Sequence, residues 1–308
     1  MLAPARCRSL PRLVAAAALV LASARCGGTP DPGAGPTPPT PPTPPINSNE
    51  PVLVGAGDIA MCPLGAQSAT ALLLDQIGGT VFTTGDNVYD GPTLAKYTEC
   101  YGPTWGRHLG RTRPSPGNHD YDAPGPATYF TYFGEAAGDA GLGYYSYDIA
   151  TWHVIALNSE VPMSPASSQY LWLQSDLASH PARCTVAYFH RPLFSSSQNG
   201  PTPAVRDLWR LLYDNGVDVV LNGHDHVYER FAPQDLAGKA DAARGIRQFT
   251  VGTGGATLYG FGTPAPNSET RASVHGVLKL YLQASGYAWE FIPVAGQSYR
   301  DGGTGSCH

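Results

Sequence analysis

The chain is short of charge. Asp, Glu, Lys and Arg make up only 14% of its 308 residues, and net charge is −5 with 19 basic residues. No block of Lys or Arg follows the amino-terminal stretch, which excludes a surface that binds nucleic acid by neutralising its phosphates. No two cysteines stand in Cys-x-x-Cys spacing, so a thiolate zinc site is excluded as well. There is no internal repeat. The glycine cluster Gly252–Gly255 (GTGG) is not followed by Gly-Lys-Ser/Thr and so is not a nucleotide-binding P-loop. It reads either as a simple turn or as backbone brought close to a site.

What is present begins with an export layout. Arg6, Arg8 and Arg12 precede the apolar run Leu13–Ala24, which ends in Ala22-Ser23-Ala24. A membrane-spanning helix needs about 20 apolar residues, so this shorter run is expected to be an export signal over residues 1–25. Cys26 follows at once, then glycines and the tract TPDPGAGPTPPTPPTPP. That layout resembles a bacterial lipoprotein, with Cys26 as a lipid anchor and residues 26–46 as an extended polyproline-like linker. Arg25 stands where lipoproteins carry a small residue, so plain secretion after Ala24 is the alternative. Either way the protein is expected outside the cytoplasm, with residues 47–308 as one folded domain. Cys62, Cys100, Cys184 and Cys307 remain, an even number in an exported chain. Three connectivities are open to them. Cys62–Cys100 with Cys184–Cys307 is preferred, because Cys62 and Cys100 both fall in loops just past strands.

Beyond the linker, apolar strand-like runs alternate with helical stretches. Strands are expected at PVLVGAGD, TVFTTGD, RTRPSPGNHD, YYSYDIA, TWHVIALNS, CTVAYFH and VDVVLNGHDH. Helices are expected at 65–77, with Ala69, Leu72, Leu73 and Ile77 inward, at 95–109, at 167–179, with Tyr170, Leu171, Leu173 and Leu177 inward, and at 202–215. From Ile246 the pattern turns all-β, with a hairpin near Ser285-Gly286. Alternation of this kind implies an α/β fold: a four-layer α/β/β/α sandwich with its site at the carboxyl ends of the strands.

Five polar clusters sit at those strand ends: Asp58 in GAGD, Asp86 and Tyr89 in GDNVY, Asn118 and His119 in GNHD, His190 in AYFHRP, and His224 and His226 in GHDH. Taken singly, Asp58, Asp86 and Asn118 are ordinary turn formers, Tyr89 a packing residue and His190 a structural histidine. Together they supply carboxylate, imidazole, amide and phenol donors suited to a pair of hard or borderline cations. His108, His153, His180 and His275 lie outside these clusters and read as structural or exposed. Asp225, Tyr228 and Arg230 lie beside them as either pocket lining or loop packing.

In this order the clusters resemble the calcineurin-like metallophosphoesterase superfamily, from about Val52 to Thr253, and Tyr89 three residues after Asp86 is similar to its purple acid phosphatase branch. The resemblance implies a binuclear hydrolase of phosphate esters, phosphomonoesters first, in which water activated by two metals attacks phosphorus without a phosphoenzyme. Asp86 would bridge the metals. Asp58, Tyr89 and His226 would complete one site, and Asn118, His190 and His224 the other. A phenolate favours ferric iron, so the metals expected are iron with iron, zinc or manganese. His119 would sit beside the phosphate, with Asp120 orienting an imidazole. Three departures stand out: Ala60 where many relatives have a ligand histidine, Ser195–Asn199 where the purple branch has further histidines, and a proline tract in place of an amino-terminal β-sandwich. A phosphodiesterase on the same core, a non-catalytic binding module and a tethered wall scaffold are the competing expectations.

Overall fold

The structure, a computed structural model, describes residues 49–308. The expected export signal, Cys26 anchor and proline linker lie outside the described residues. Among those described, no helix is long and apolar enough to cross a membrane.

Two mixed sheets face each other. The first runs β13-β12-β11-β1-β2-β3 and the second β10-β8-β9-β7-β6-β5-β4. In the first sheet, β1 (Val52–Ala56), β2 (Thr80–Thr84) and β3 (Thr112–Ser115) are parallel, and the antiparallel strands β11 (Gly276–Gln283), β12 (Gly286–Pro293) and β13 (Asp301–Ser306) extend it. In the second, β5 (Trp152–Ala156), β6 (Cys184–Tyr188), β7 (Val219–Asn222) and β9 (Arg247–Val251) are parallel. Antiparallel β4 (Tyr145–Ile149) closes one edge, and β8 (Tyr228–Phe231) with β10 (Ser268–Ala272) the other.

Period-two alternation gives each inner strand two buried faces. Between the sheets, Phe82 meets Tyr188, Trp152 meets Tyr287, and Phe249 meets Trp289, with ring centroids 5.5–5.9 Å apart. On the outer face of the second sheet, Ile155, Ala187 and Val220 are buried with Leu173 of α4 (Ser168–Ser179) and Leu208 and Leu212 of α5 (Arg206–Asp214). Helix α1 (Gln67–Gln76) buries Ala71 and Leu74 with the first-sheet core. Cys62 is disulfide-bonded to Cys100, and Cys184 to Cys307. Each bond closes a long loop, which stabilises the fold by about 4 kcal/mol in the chain-entropy account.

Some expectations change. Helix α1 turns Thr70, Ala71 and Leu74 inward and leaves Leu72 62% exposed. Polar contacts decide its face: Thr70 Oγ1 donates to the Gly254 carbonyl and accepts from Trp105 Nε1. Helix α4 likewise buries Gln169 and Asp176 and exposes Leu171. The helix expected at 95–109 is broken. A short α2 (Leu94–Lys96) runs into one wide turn at Tyr97–Tyr101, and a tight helix resumes at Trp105–Arg111. Pro103 cannot donate an amide hydrogen. A further short helix, α3 (Ala127–Phe133), and strand β13 were not expected. Strand β9 pairs with β7 in parallel rather than joining an all-antiparallel tail.

Register aligns the carboxyl ends. Ala56 lies beside Thr83, Thr84 beside Ser115, Tyr188 beside Leu221, and Asn222 beside Thr250. The loops that leave these strands therefore emerge on one rim.

Candidate metal centre

Three of the clustered residues take a left-handed backbone: Asp58 (φ 60°), Asp86 (φ 51°) and His224 (φ 68°). Non-glycine residues adopt it at a cost of about 1–3 kcal/mol and do so chiefly at functional sites. The reversal turns each side chain back toward the rim immediately after its strand. Two glycines make room for it. A Cβ on Gly117 would lie 2.3 Å from Asp86 Oδ1, and one on Gly85 would lie 2.7 Å from His190 Nδ1. The turn that points both His224 and His226 inward is carried by His224 itself; Gly223 serves instead to let Asp58 Oδ2 pass, 2.6 Å from where a Cβ would be.

The side chains meet as two trios. In one, Tyr89 Oη is 2.8 Å from Asp58 Oδ1 and 2.9 Å from His226 Nε2, and that nitrogen is 3.2 Å from Asp58 Oδ1. In the other, Asn118 Oδ1 is 3.1 Å from His190 Nε2 and 3.0 Å from His224 Nδ1, and the two nitrogens are 3.2 Å apart. Asp86 lies at the second trio, its Oδ2 3.3 Å from His190 Nε2, and it forms a close donor group with Asp58 and His190. Backbone carbonyls fix two rings: His190 Nδ1 donates to Thr84 and His226 Nδ1 to Thr257, at 2.8 and 2.6 Å. This leaves each Nε2 facing the cluster, the arrangement of a metal-ligating histidine.

Protons alone leave the centre badly matched. Asp86 is fully buried, which works to raise its pKa, yet His190 and His119 hold it well below the usual carboxylate range. Burial works against charge on His190, but Asp86 pushes its pKa up to about 10. Its neighbour His224, half-buried and facing His190 and Arg191, is pushed down to about 3 by desolvation and those two groups. Burial and the carboxylates of Asp58 and Asp86 drive the Tyr89 phenol well above its ordinary value. A buried set of oxygen and imidazole donors about 3 Å apart, with negative charge in excess, fits cations held by bonds of about 2 Å.

A family model described as calcineurin-like phosphoesterase matches residues 55–228, more than half of the chain and every one of the five clusters. The chain belongs to the calcineurin-like phosphoesterase family. Among curated relatives, it is 32% identical to purple acid phosphatase 21 of Arabidopsis thaliana over 70% of this chain and 55% of that protein. It thus spans about half the length of that relative. Among solved structures, its fold matches a purple acid phosphatase from yellow lupin (Lupinus luteus) seeds with a TM-score of 0.70. That match has 22% identity and covers 84% of this chain and 54% of the other. It also matches GAP50, described as the anchor in the inner membrane complex of Plasmodium, with a TM-score of 0.67 and 16% identity, covering 84% of this chain and 89% of the other. The layered α/β fold expected from the sequence is the fold of this calcineurin-like phosphoesterase.

Other expected residues sit differently. Asp120 touches no imidazole. It accepts from Asn87 and Gly117 backbone N–H groups, Asn87 Nδ2 and Tyr97 Oη, and so ties the second and third clusters together. Burial and nearby Asp86 push its pKa up to about 6. Tyr228 and Arg230 turn away from the rim to Asp301. Ser195 donates to Asp225, while Ser196 Oγ and N–H both donate to Glu229, so the serine run is buried as a brace. Gly254 N–H donates to the Gly57 carbonyl, and a Cβ on Gly252 would lie 2.8 Å from Asp58 Oδ2. The GTGG segment is therefore backbone pressed against the first cluster. His153 is buried between Asp148 and Asp176 and stacks on exposed His180; His108 pairs with Asp75, and His275 Nε2 contacts the Ala256 carbonyl.

Four neighbours of the centre were missed. Glu160 grips Arg191 at 2.9–3.1 Å, and Arg191 Nη1 reaches to 3.4 Å from His224 Nε2. Glu160 follows the β5 strand end, so the strand-end pattern that marks the other clusters could have marked it. Tyr259 stacks on His226 at 3.9 Å. Asp122 meets His119 at 2.6 Å. Neither Tyr259 nor Asp122 carries a local signal stronger than any loop tyrosine or aspartate.

Proposed function

We propose that this protein is a binuclear metal-dependent hydrolase of phosphate monoesters. The observation that carries the reading is the meeting of two donor trios across buried Asp86, with Asp58, Tyr89 and His226 on one side and Asn118, His190 and His224 on the other. Two bound cations would polarise the phosphate oxygens and activate water. The chain's own residues do the rest. Thr84 and Thr257 carbonyls lock the tautomers of His190 and His226. His119, one residue past Asn118 and 35% exposed, presents Nε2 4.0 Å from Asp86 Oδ2 and reaches the ester oxygen that leaves. Arg191, clamped by Glu160, adds fixed positive charge at the edge of the second trio, where a phosphate dianion gains most. Similarity to purple acid phosphatases favours monoesters and an iron ion beside Tyr89, with iron, zinc or manganese as its partner.

Purified protein is expected to hold two metal ions per chain and to hydrolyse p-nitrophenyl phosphate much faster than bis(p-nitrophenyl) phosphate. The reverse preference would make it a diesterase, and a folded protein that binds no metal and cleaves neither would end the enzymatic reading. Iron at Tyr89 would give a visible charge-transfer band that Tyr89→Phe abolishes; a colourless protein with two zinc or manganese ions would remove Tyr89 from the ligand set.

The export signal at residues 1–25 and the anchor at Cys26 belong to the same proposal, which places the domain outside the cytoplasm, where its two disulfides persist. Metabolic labelling with a fatty acid should mark wild type and not Cys26→Ala; equal absence from both would leave secretion alone.

A further inference from the structure

His119 is fixed at three points. Its backbone N–H donates to Asp86 Oδ1 at 2.8 Å, and its ring lies against Tyr89 with centroids 4.7 Å apart. Its Nδ1 is 2.6 Å from Asp122 Oδ2. The first two contacts place the ring over the centre but do not choose which edge faces it, because an imidazole flipped about its Cβ–Cγ bond covers almost the same volume. The third contact chooses. A carboxylate only accepts, so Nδ1 carries the hydrogen donated to Asp122, and Nε2 is turned to the Asp86 side. Asp122 is itself held in the loop, its carbonyl accepting from Gly125 N–H at 2.6 Å and its N–H reaching the His119 carbonyl. The loop at Ser195–Asn199 offers no second imidazole to share this role, and Ser195 and Ser196 are spent on Asp225 and Glu229.

We propose that Asp122 is a positioning residue for His119, selecting the ring orientation in which Nε2–H meets the leaving oxygen of a phosphate monoester. The inference rests on the phosphatase reading above. In the step it serves, a water oxygen forms the new bond to phosphorus while the bond to the leaving oxygen breaks. That oxygen takes the electron pair and the Nε2 proton of the imidazolium, Nδ1 keeping the hydrogen it donates to Asp122; one water proton passes to solvent, and solvent reprotonates Nε2. Orienting the ring matters most when the leaving group is poor. An alkoxide needs the proton as it departs, whereas p-nitrophenolate leaves without it.

The test compares Asp122→Ala, Asp122→Asn and wild type on p-nitrophenyl phosphate and on glycerol 2-phosphate. Asp122 is 47% exposed on its side chain and 35% of His119 is exposed, so neither variant endangers the fold. Asp122→Ala is expected to lower kcat on glycerol 2-phosphate by about tenfold to a hundredfold at unchanged KM, against less than about threefold on p-nitrophenyl phosphate. Asp122→Asn, whose amide oxygen still accepts from Nδ1, should retain most of the alkyl-ester activity. Equal losses on both substrates, an Asn variant as poor as Ala, or loss of bound metal from Asp122→Ala would each overturn the proposal. A wild type inactive on both esters would instead overturn the phosphatase reading itself.

Discussion

An imidazole–carboxylate cluster lies at each end of the second sheet, the one at the carboxyl end taking its carboxylates from loops of the first sheet, and the two behave differently. At the amino end, His153 Nδ1 lies 3.0 Å from Asp148 and its Nε2 2.8 Å from Asp176, with Ser146 donating to the other Asp176 oxygen. At the carboxyl end imidazoles and carboxylates, joined by the Tyr89 phenol and the Asn118 amide, stand 2.8–3.3 Å apart. Distance alone does not separate them. Partners do. One ring between two carboxylates is satisfied by a single proton, and burial, which works against its charge, is outweighed by Asp176 and Asp148, so its pKa rises. The rim centre has adjacent imidazoles driven in opposite directions and a phenol held between the Asp58 carboxylate and the His226 imidazole, its pKa raised by burial and nearby Asp58 and Asp86. A proton closes the first cluster; only larger positive charge closes the second. Similar residues thus make an internal ion pair in one place and, on the function proposed above, would hold metal ions in the other.

The largest effect that would break this contrast is on activity. Asp86→Ala should lower phosphate ester hydrolysis on the order of 10³-fold, because several kcal/mol of transition-state stabilisation disappear with the metals. Elemental analysis should show fewer than two ions per chain, while the metal-free variant melts no lower than metal-free wild type. Full metal content in Asp86→Ala would erase the distinction between the two ends. The amino-end cluster should respond in the opposite sense. His153→Gln is expected to cost about 3 kcal/mol in urea unfolding by taking from buried Asp176 its buried cation and leaving it only exposed His180 and the Ser146 hydroxyl, with metal content and kcat intact; lost metal would show that the ends are coupled.

Acidity sharpens the comparison further. His153 has a folded pKa above its unfolded value of 6.5. Its stabilisation is therefore complete below about pH 6 and fades as pH rises through the folded value. Asp176, although buried, is held low by His153, so its share is present above its unfolded 3.8 and lost on acidification. The stability gap between wild type and His153→Gln should narrow as pH rises above the unfolded value of 6.5; a gap that widens would mean that His153 is not charged in the fold. Asp148→Asn should have the smallest effect, under about 1 kcal/mol, since that carboxylate is largely solvated.

The sequence made the rim legible because each cluster interrupts a buried strand at its carboxyl end, where parallel strands discharge together. Polar helix faces were not legible in the same way. Thr70 and Gln169 are buried through bonds to the Gly254 carbonyl and to the Asn158 backbone, partners far off in sequence, so apolar spacing pointed to Leu72 and Leu171 instead. Strand β13 reads as a glycine-rich tail. Its glycines make room for rings on β12: a Cβ on Gly303 would strike Trp289, and one on Gly305 would strike Tyr287. Such a strand exists because of its neighbour and carries no pattern of its own. Asp122 and Tyr259 were hidden for the same reason, since their meaning comes from His119 and His226 lying close in space.

The left-handed bends at Asp58, Asp86 and His224 also constrain how this lineage can change. Asparagine and glycine occupy such bends with little penalty, whereas valine, isoleucine or threonine would distort the rim. A descendant that abandoned its chemistry would drift toward asparagine or glycine at these three positions and keep its shape, leaving a recognisable scar at the rim.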